Sequence, residues 1–231
     1  DVTMTGEGDN DYFANSVSTA GDINGDGYSD VVIGSIYYSL LTGKAYVYFG
    51  GTLMNNIADV TITSGTPGID FGSSVSSAGD VNGDGYSDFI IGARRNSTPG
   101  RAFIFFGGAS PDSIPDVSMT GEATGNYFGN SVSSAGDVNG DGYSDVIVGA
   151  FGYSSNTGRA YLYNGSAISA KPIFSHVKDV PNDQGGFVNL KWVRSSYDVN
   201  GNDLVTYYLV ERSYPPVNGN FAWANIAEIT A

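Results

Sequence analysis

The chain has no cysteine, one histidine and only 10 lysines and arginines among its 231 residues. Without cysteine there is neither a disulfide framework nor a thiolate metal site. His176 is the single candidate base for a nucleophilic triad, and a lone histidine is read as a surface or packing residue. Against 24 aspartates and glutamates the 10 cations leave a net charge of -14, which excludes a nucleic-acid partner because phosphate neutralisation needs Lys and Arg. No apolar run approaches the roughly 20 residues of a membrane span. The opening DVTMTGEGDN does not read as a signal peptide, so the chain reads as soluble with no membrane span. Position 1 is not a methionine and falls on a repeat boundary, so the sequence reads as a piece of a longer protein.

What is present is glycine (33 residues), tyrosine (16) and phenylalanine (12), the balance of sheets joined by tight turns. No segment shows helical periodicity, and the fold class expected is all-β. Internal repetition dominates: residues 1 to 35, 58 to 93 and 115 to 150 align with one another, and each copy runs on into KAYVYFGG, RAFIFFGG or RAYLYNGS. Within a copy, strands are expected at VTMT, NSVSTAG, DVVIGSI and KAYVYFG, separated by turn residues. The string AYVYF is apolar at consecutive positions, so both of its faces should be buried, as when four-stranded blades stack around a propeller axis. Three blades are expected, at about 1–58, 59–115 and 116–168. Tyr46, Val47, Tyr48 and Phe49 are then core rather than a carbohydrate platform. Beyond about Ala170 the repeat stops, and FVNLKW and TYYLVERS alternate like two strands of a β-sandwich with Trp192 and Tyr208 in its core. Residues 169–231 therefore read as a second domain.

Each copy holds the nine-residue string Asp-Ile/Val-Asn-Gly-Asp-Gly-Tyr-Ser-Asp. Oxygen ligands recur at alternate positions, which suits Ca²⁺ with its roughly 6 to 8 oxygens. The ligand sets expected are Asp22, Asn24, Asp26, the Tyr28 carbonyl and Asp30; Asp80, Asn82, Asp84, the Tyr86 carbonyl and Asp88; and Asp137, Asn139, Asp141, the Tyr143 carbonyl and Asp145. Glycine at the sixth position (Gly27, Gly85, Gly142) allows the positive φ that wraps the backbone round an ion. An EF-hand is excluded, because its twelfth position needs a glutamate and here holds Ile33, Ile91 or Val148. The bland reading is a metal-free Asp/Gly turn, but a turn needs only two of these residues, and three carboxylates per loop without a cation repel one another. Three Ca²⁺ sites are expected.

At these residues the chain resembles the FG-GAP repeat family, found in integrin α-subunit propellers and in bacterial surface proteins. FG stands as Phe71-Gly72 and Phe128-Gly129, and the GAP element as Gly34-Ser35, Gly92-Ala93 and Gly149-Ala150, with the calcium loop between them. The likeness covers about residues 1 to 168. Ala14 replaces the glycine of the first copy and the proline of GAP is absent from all three. Three repeats also fall short of the family's seven-bladed ring. The C-terminal segment is similar to the first half of a fibronectin type III domain.

The resemblance implies a secreted or cell-surface adhesion or structural module that is not an enzyme, stiffened by calcium and engaging a protein partner. Self-association is expected if a neighbouring subunit completes the open stack by strand addition. The alternative is a non-catalytic ligand-binding region, for a carbohydrate, attached to an enzyme or receptor. Arg94-Arg95 are read as a solvated loop rather than an anion or partner contact.

Overall fold

A computed structural model describes residues 1–95 and 97–167, and beyond them the backbone strands Ile173–Asp179, Val188–Val193, Tyr207–Val217 and Asn220–Thr230. The chain divides into two units, Asp1–Ala167 and Ile168–Ala231. In the first unit, β1 (Phe13–Gly21), β2 (Asp30–Ser35), β3 (Lys44–Tyr48) and β4 (Val60–Thr63) form an antiparallel sheet in the order β1-β2-β3-β4. A second four-stranded sheet repeats it with β5 (Phe71–Gly79), β6 (Asp88–Ala93), β7 (Arg101–Phe105) and β8 (Val117–Thr120). The third holds, among the described residues, the three strands β9 (Phe128–Gly136), β10 (Asp145–Ala150) and β11 (Arg159–Tyr163).

The strand that opens each sequence repeat does not belong to that repeat's sheet. Val60–Thr63 pairs with β3, placing Ile62 opposite Ala45, and Val117–Thr120 pairs with β7, placing Met119 opposite Ala102. The sheets thus run 13–63, 71–120 and 128–163, one strand out of step with the sequence repeat, and the expected strand at residues 2–5 has no pairing. The cause lies in an aspartate at each return. Asp59 donates its N–H to the Val47 carbonyl (2.9 Å) while its carboxylate accepts from Phe49 N (2.7 Å). Asp116 does the same with Ile104 (3.0 Å) and Phe106 (2.7 Å). Both bonds draw the outgoing chain back along the strand it has just left.

The core lies between sheets. One apolar cluster joins Ala20, Ile23, Val32, Val47 and Ile62 of the first sheet to Phe71, Val75, Phe89, Ile91 and Phe105 of the second. A second cluster joins Val81, Ile90, Ile104 and Met119 to Phe128, Val146 and Val148 of the third. Phe89 and Ile91 therefore face back while Ile90 faces forward, which is why DFIIG is apolar without alternation. Every residue of β3 is buried, so its tyrosines are core. Phe89 and Phe105 stack at 5.1 Å, and Phe71 tilts against Phe103 at 5.6 Å, contacts that add to area burial.

In the second unit β12 (Ile173–Asp179) pairs with β13 (Val188–Val193), and β14 (Tyr207–Val217) with β15 (Asn220–Thr230). The strands expected at FVNLKW and TYYLVERS fall on β13 and β14. The side chains of His176, Trp192 and Tyr208, and the expected sandwich packing, lie outside the described residues.

Candidate functional site: three aspartate loops

The three nine-residue strings are the turns β1–β2, β5–β6 and β9–β10, all at the same end of their sheets. Asp22 organises the first. Its carboxylate accepts the main-chain N–H of Gly25 (2.7 Å), Asp26 (3.1 Å) and Gly27 (2.9 Å). Asn24 accepts from Asp26 N (3.0 Å) and donates to the Asp26 carboxylate (3.0 Å), which in turn accepts from Tyr28 N (2.9 Å). Asp80, Asn82 and Asp84 repeat the pattern through Gly83, Gly85 and Tyr86. Asp137, Asn139 and Asp141 do so through Gly140, Gly142 and Tyr143. The sixth-position glycines sit at φ 89, 90 and 92°, the left-handed region that the wrapped turn requires.

The ninth-position aspartates stand apart from the exposed tips. Asp30, Asp88 and Asp145 are wholly buried. One oxygen of Asp30 accepts from Ile23 N (2.8 Å) and the other from Gly50 N (2.7 Å). Asp88 holds Val81 and Gly107, and Asp145 holds Val138 and Gly165, at 2.8 Å each. Each thus ties its loop to the turn after the third strand. Burial pushes the Asp88 carboxyl up to about 7 against the opposing pull of its two N–H donors, and raises that of Asp30 as well. At the exposed tip the sign reverses: the N–H groups of Gly142, Gly140 and Asp141 hold the Asp137 carboxyl below its usual range.

As a donor set the loops offer oxygen alone, the chemistry a hard cation selects. The Asp26 carboxylate oxygens each accept a single bond and keep a lone pair, whereas one oxygen of Asp22 already accepts two N–H groups. Among the described residues no group of three acidic or histidine side chains is gathered to hold an ion. The loops are held together by their own hydrogen bonds.

The fourth-position glycines relieve crowding, as their place in the string suggests, and the neighbour they make room for is the next loop: a Cβ on Gly25 would lie 2.6 Å from the Tyr86 ring, and Gly83 lies under Tyr143 in the same way. Other features escaped the sequence reading. Main-chain bonds also cross between loops, Ser87 N to Asp22 O (3.0 Å) and Ser144 N to Asp80 O (2.9 Å). The threefold recurrence of Tyr-Ser in the string was the available signal. At the opposite end of the second and third sheets, Asp70, Arg94, Arg95, Ser97, Tyr127 and Phe151 line an open cleft of about 560 Å³. Arg95 pairs with Asp70 (3.1 Å), Arg94 donates to the Asn130 side chain (2.6 Å), and Tyr127 stacks on Phe151 at 4.5 Å. Arg94 and Arg95 are thus anchored, not the free solvated loop expected.

Stacked antiparallel sheets with an aspartate turn at one end and backbone contacts between neighbours define a class, the blades of β-propellers. Within it the chain carries three FG-GAP repeats: the FG-GAP repeat family matches residues 13–48, 71–105 and 128–163. It is similar to integrin alpha-5 of Xenopus laevis (33% identical; 73% of this chain and 18% of that protein). It is likewise similar to integrin alpha-PS5 of Drosophila melanogaster (33%; 68% and 16%) and integrin alpha-7 of Mus musculus (34%; 65% and 13%). The chain spans less than a fifth of the length of these relatives.

Proposed function

We propose that this chain is a calcium-stabilised adhesion or structural module of an extracellular or cell-surface protein, without catalytic activity of its own. The observation that carries the reading is the threefold repetition of one oxygen-only loop at the same end of stacked blades, in a chain similar to integrin alpha subunits. The residues that would hold each ion are those of the three loops, from Asp22 to Asp30, Asp80 to Asp88 and Asp137 to Asp145. A bound cation would neutralise carboxylates that otherwise repel one another at the blade ends. With a dissociation constant of about 10⁻⁴ M and calcium at about 10⁻³ M, each site adds roughly 1.4 kcal/mol to stability. Calorimetric titration with calcium chloride, and melting in calcium against EGTA, test this. Heat and a raised melting temperature are expected, both lost when Asp26, Asp84 and Asp141 are changed together to Asn. Wild-type protein giving neither heat nor shift would overturn the calcium reading.

A non-catalytic ligand-binding role is the second reading, and the cleft between the second and third blades favours it. Its two arginines and stacked aromatic pair are the chemistry of a carbohydrate site. Glycan-array binding lost on Phe151→Ala but kept in EGTA would select it over the structural role. The second unit is read as the opening strands of a fibronectin type III sandwich, and an NMR contact between the Trp192 and Tyr208 rings is its test.

A further inference from the structure

The blades differ most at the end opposite the aspartate loops. In the first, Tyr12 and Tyr37 meet edge-on at 4.7 Å. The second puts Asp70 and Arg95 at those two positions of the repeat, paired at 3.1 Å. Ile36, the residue before Tyr37, is buried, whereas its counterpart Arg94 is only half-buried and donates across the junction to the Asn130 side chain (2.6 Å). A cation thus takes the place of a buried apolar side chain, and the cleft of about 560 Å³ lies beside it, within the roughly 300–1,000 Å³ of small-molecule sites.

Both guanidinium groups are held by the protein itself. Arg95 donates from Nε to the Ser97 hydroxyl (3.2 Å) and from a terminal nitrogen to Asp70, and it lies over Gly68, where a built Cβ would stand 3.4 Å from Arg95 Cζ. Asp70 matches its charge. The charge of Arg94 has no such match: the ion pairs among the described residues are Lys44–Glu7, Arg95–Asp70 and Arg159–Glu122. The neutral Asn130 amide orients Arg94 through one of its N–H groups and leaves the others to a ligand. Asn130 is in turn fixed to the aromatic wall, because its N–H donates to the Tyr127 carbonyl (3.1 Å) and Tyr127 stacks on Phe151 with ring planes 17° apart.

In a chain of net charge -14 the blades hold five cations, Lys44, Arg94, Arg95, Arg101 and Arg159, and two of them line this one cleft. The six residues of β6 separate it from the calcium-type loop at Asp88, about 20 Å at about 3.3 Å per residue. That is beyond the screening length of about 8 Å at physiological ionic strength, so the loop carboxylates do not cancel the charge of Arg94.

We propose that the cleft between the second and third blades binds an acidic saccharide, with a uronate carboxylate on Arg94 and the sugar ring against Tyr127 and Phe151. The proposal rests on the ligand-binding reading of this cleft and specifies the chemistry of its ligand. A guanidinium fork takes both oxygens of a carboxylate in parallel, a match that a neutral sugar leaves unused. Asp70 repels an anion placed on Arg95, which directs the carboxylate to Arg94, and its remaining lone pairs accept from ring hydroxyls. The C–H face of a pyranose packs on a flat aromatic surface, so a sugar uses the wall that an inorganic anion leaves bare.

Calorimetric titration of the full chain with trigalacturonate, and separately with its methyl ester, tests this. The acid is expected to bind, and the ester roughly tenfold more weakly for want of the charge-assisted pair. Arg94→Gln, which keeps an amide to donate to Asn130, should weaken the acid by the same factor and leave the ester unchanged. Arg101→Ala removes an equal charge from an exposed residue on the strand face of Phe103 and Phe105, which pack toward the first blade, and should leave both ligands unchanged. Phe151→Ala should weaken both alike, and EGTA neither. An ester that binds as tightly as the acid overturns the acidic ligand and leaves the carbohydrate reading standing. Acid binding that Phe151→Ala leaves intact, or that Arg101→Ala weakens as much as Arg94→Gln, overturns the proposal too. So does an absence of binding to both, with the broader reading then decided by neutral glycans on the array.

Discussion

The two internal junctions and the two outward faces of the stack carry almost the same residues and differ in company. Ile90 and Ile147 occupy one position in successive repeats, yet the first is buried and the second 38% exposed. Burial here is a property of the neighbour rather than of the strand. A residue's contribution to stability should therefore follow its place in the stack and not its place in the repeat.

The largest test of that difference is at the leading phenylalanines. Phe71 and Phe128 are wholly buried, while Phe13 is only half-buried. Truncating either buried ring to alanine should cost about 3–5 kcal/mol, read from chemical denaturation followed by near-UV circular dichroism, and Phe13→Ala distinctly less. Equal losses at all three would mean that the first blade's back face is as well covered as a junction. At the next level Ile90→Ala is expected to cost about 2–4 kcal/mol and Ile147→Ala under about 1 kcal/mol. Gly92 and Gly149 sharpen the comparison without changing hydrophobic area. A Cβ on Gly92 would run into the Gly129 carbonyl, whereas on Gly149 it meets chiefly the Ser131 hydroxyl, a side chain free to turn. Gly92→Ala should lower stability by about 1–3 kcal/mol, the range for overpacking, and Gly149→Ala should be close to neutral.

The stacking itself was legible in the sequence, because a strand such as AYVYF or DFIIG, apolar at every position, has no polar face to give to water. The turns were legible for a related reason: Asn-Gly and Asp-Gly steps admit positive φ at low cost, and they recur in register. Sheet membership was not. A repeat fixes the period of strands but not which neighbour each one pairs with, and only the Asp59 and Asp116 bonds to the preceding strand show that the return is outward. Nor was the buried role of Asp30, Asp88 and Asp145 readable, since a ninth-position carboxylate serves a cation and a pair of main-chain N–H groups equally well. Ala14 was visible as a departure, but the left-handed backbone it adopts there, φ 61°, was not.

The buried aspartates give the comparison a pH dependence. Asp88 is wholly buried and its carboxyl is pushed up to about 7, whereas the unfolded chain should hold it near the ordinary value of about 3.9. Between these values the folded protein binds the proton and the unfolded chain does not. The contribution is therefore fully present below the unfolded value and lost as pH rises through about 7. In calcium-free buffer the denaturation midpoint should fall from pH 5 to pH 8 by the equivalent of about 1–2 kcal/mol, less than the full shift allows because part of the fall lies below pH 5. Asp88→Asn should flatten that slope. A midpoint equally pH-dependent in wild type and variant would assign the effect to the chain's general negative charge instead.

The smallest effect separates two ion pairs that occupy the same position in the first and third repeats. Lys44 donates to Glu7 at 2.6 Å, and Arg159 to Glu122 at 2.8 Å. The arginine pair is exposed on both sides, and such pairs contribute about 0–1 kcal/mol. Lys44 is only 9% exposed, with its ammonium 4.6 Å and 4.7 Å from the centres of the Tyr38 and Tyr46 rings. Its bond to Glu7 holds that carboxyl below the usual range, so the pair's contribution is present above the ordinary glutamate value and lost as pH falls through the lowered one. Glu7→Gln removes the carboxylate charge beside a half-caged ammonium while keeping an amide oxygen to accept from it, and it should cost about 1 kcal/mol at neutral pH, against a few tenths for Glu122→Gln. Glu7 also anchors the DVTMT segment over the first blade, so its loss should loosen that segment first, seen as faster amide exchange at Met4 before any change in the midpoint. Unchanged exchange at Met4 would leave the apolar contacts with Ile33, Tyr46 and Tyr48 as what holds the segment in place.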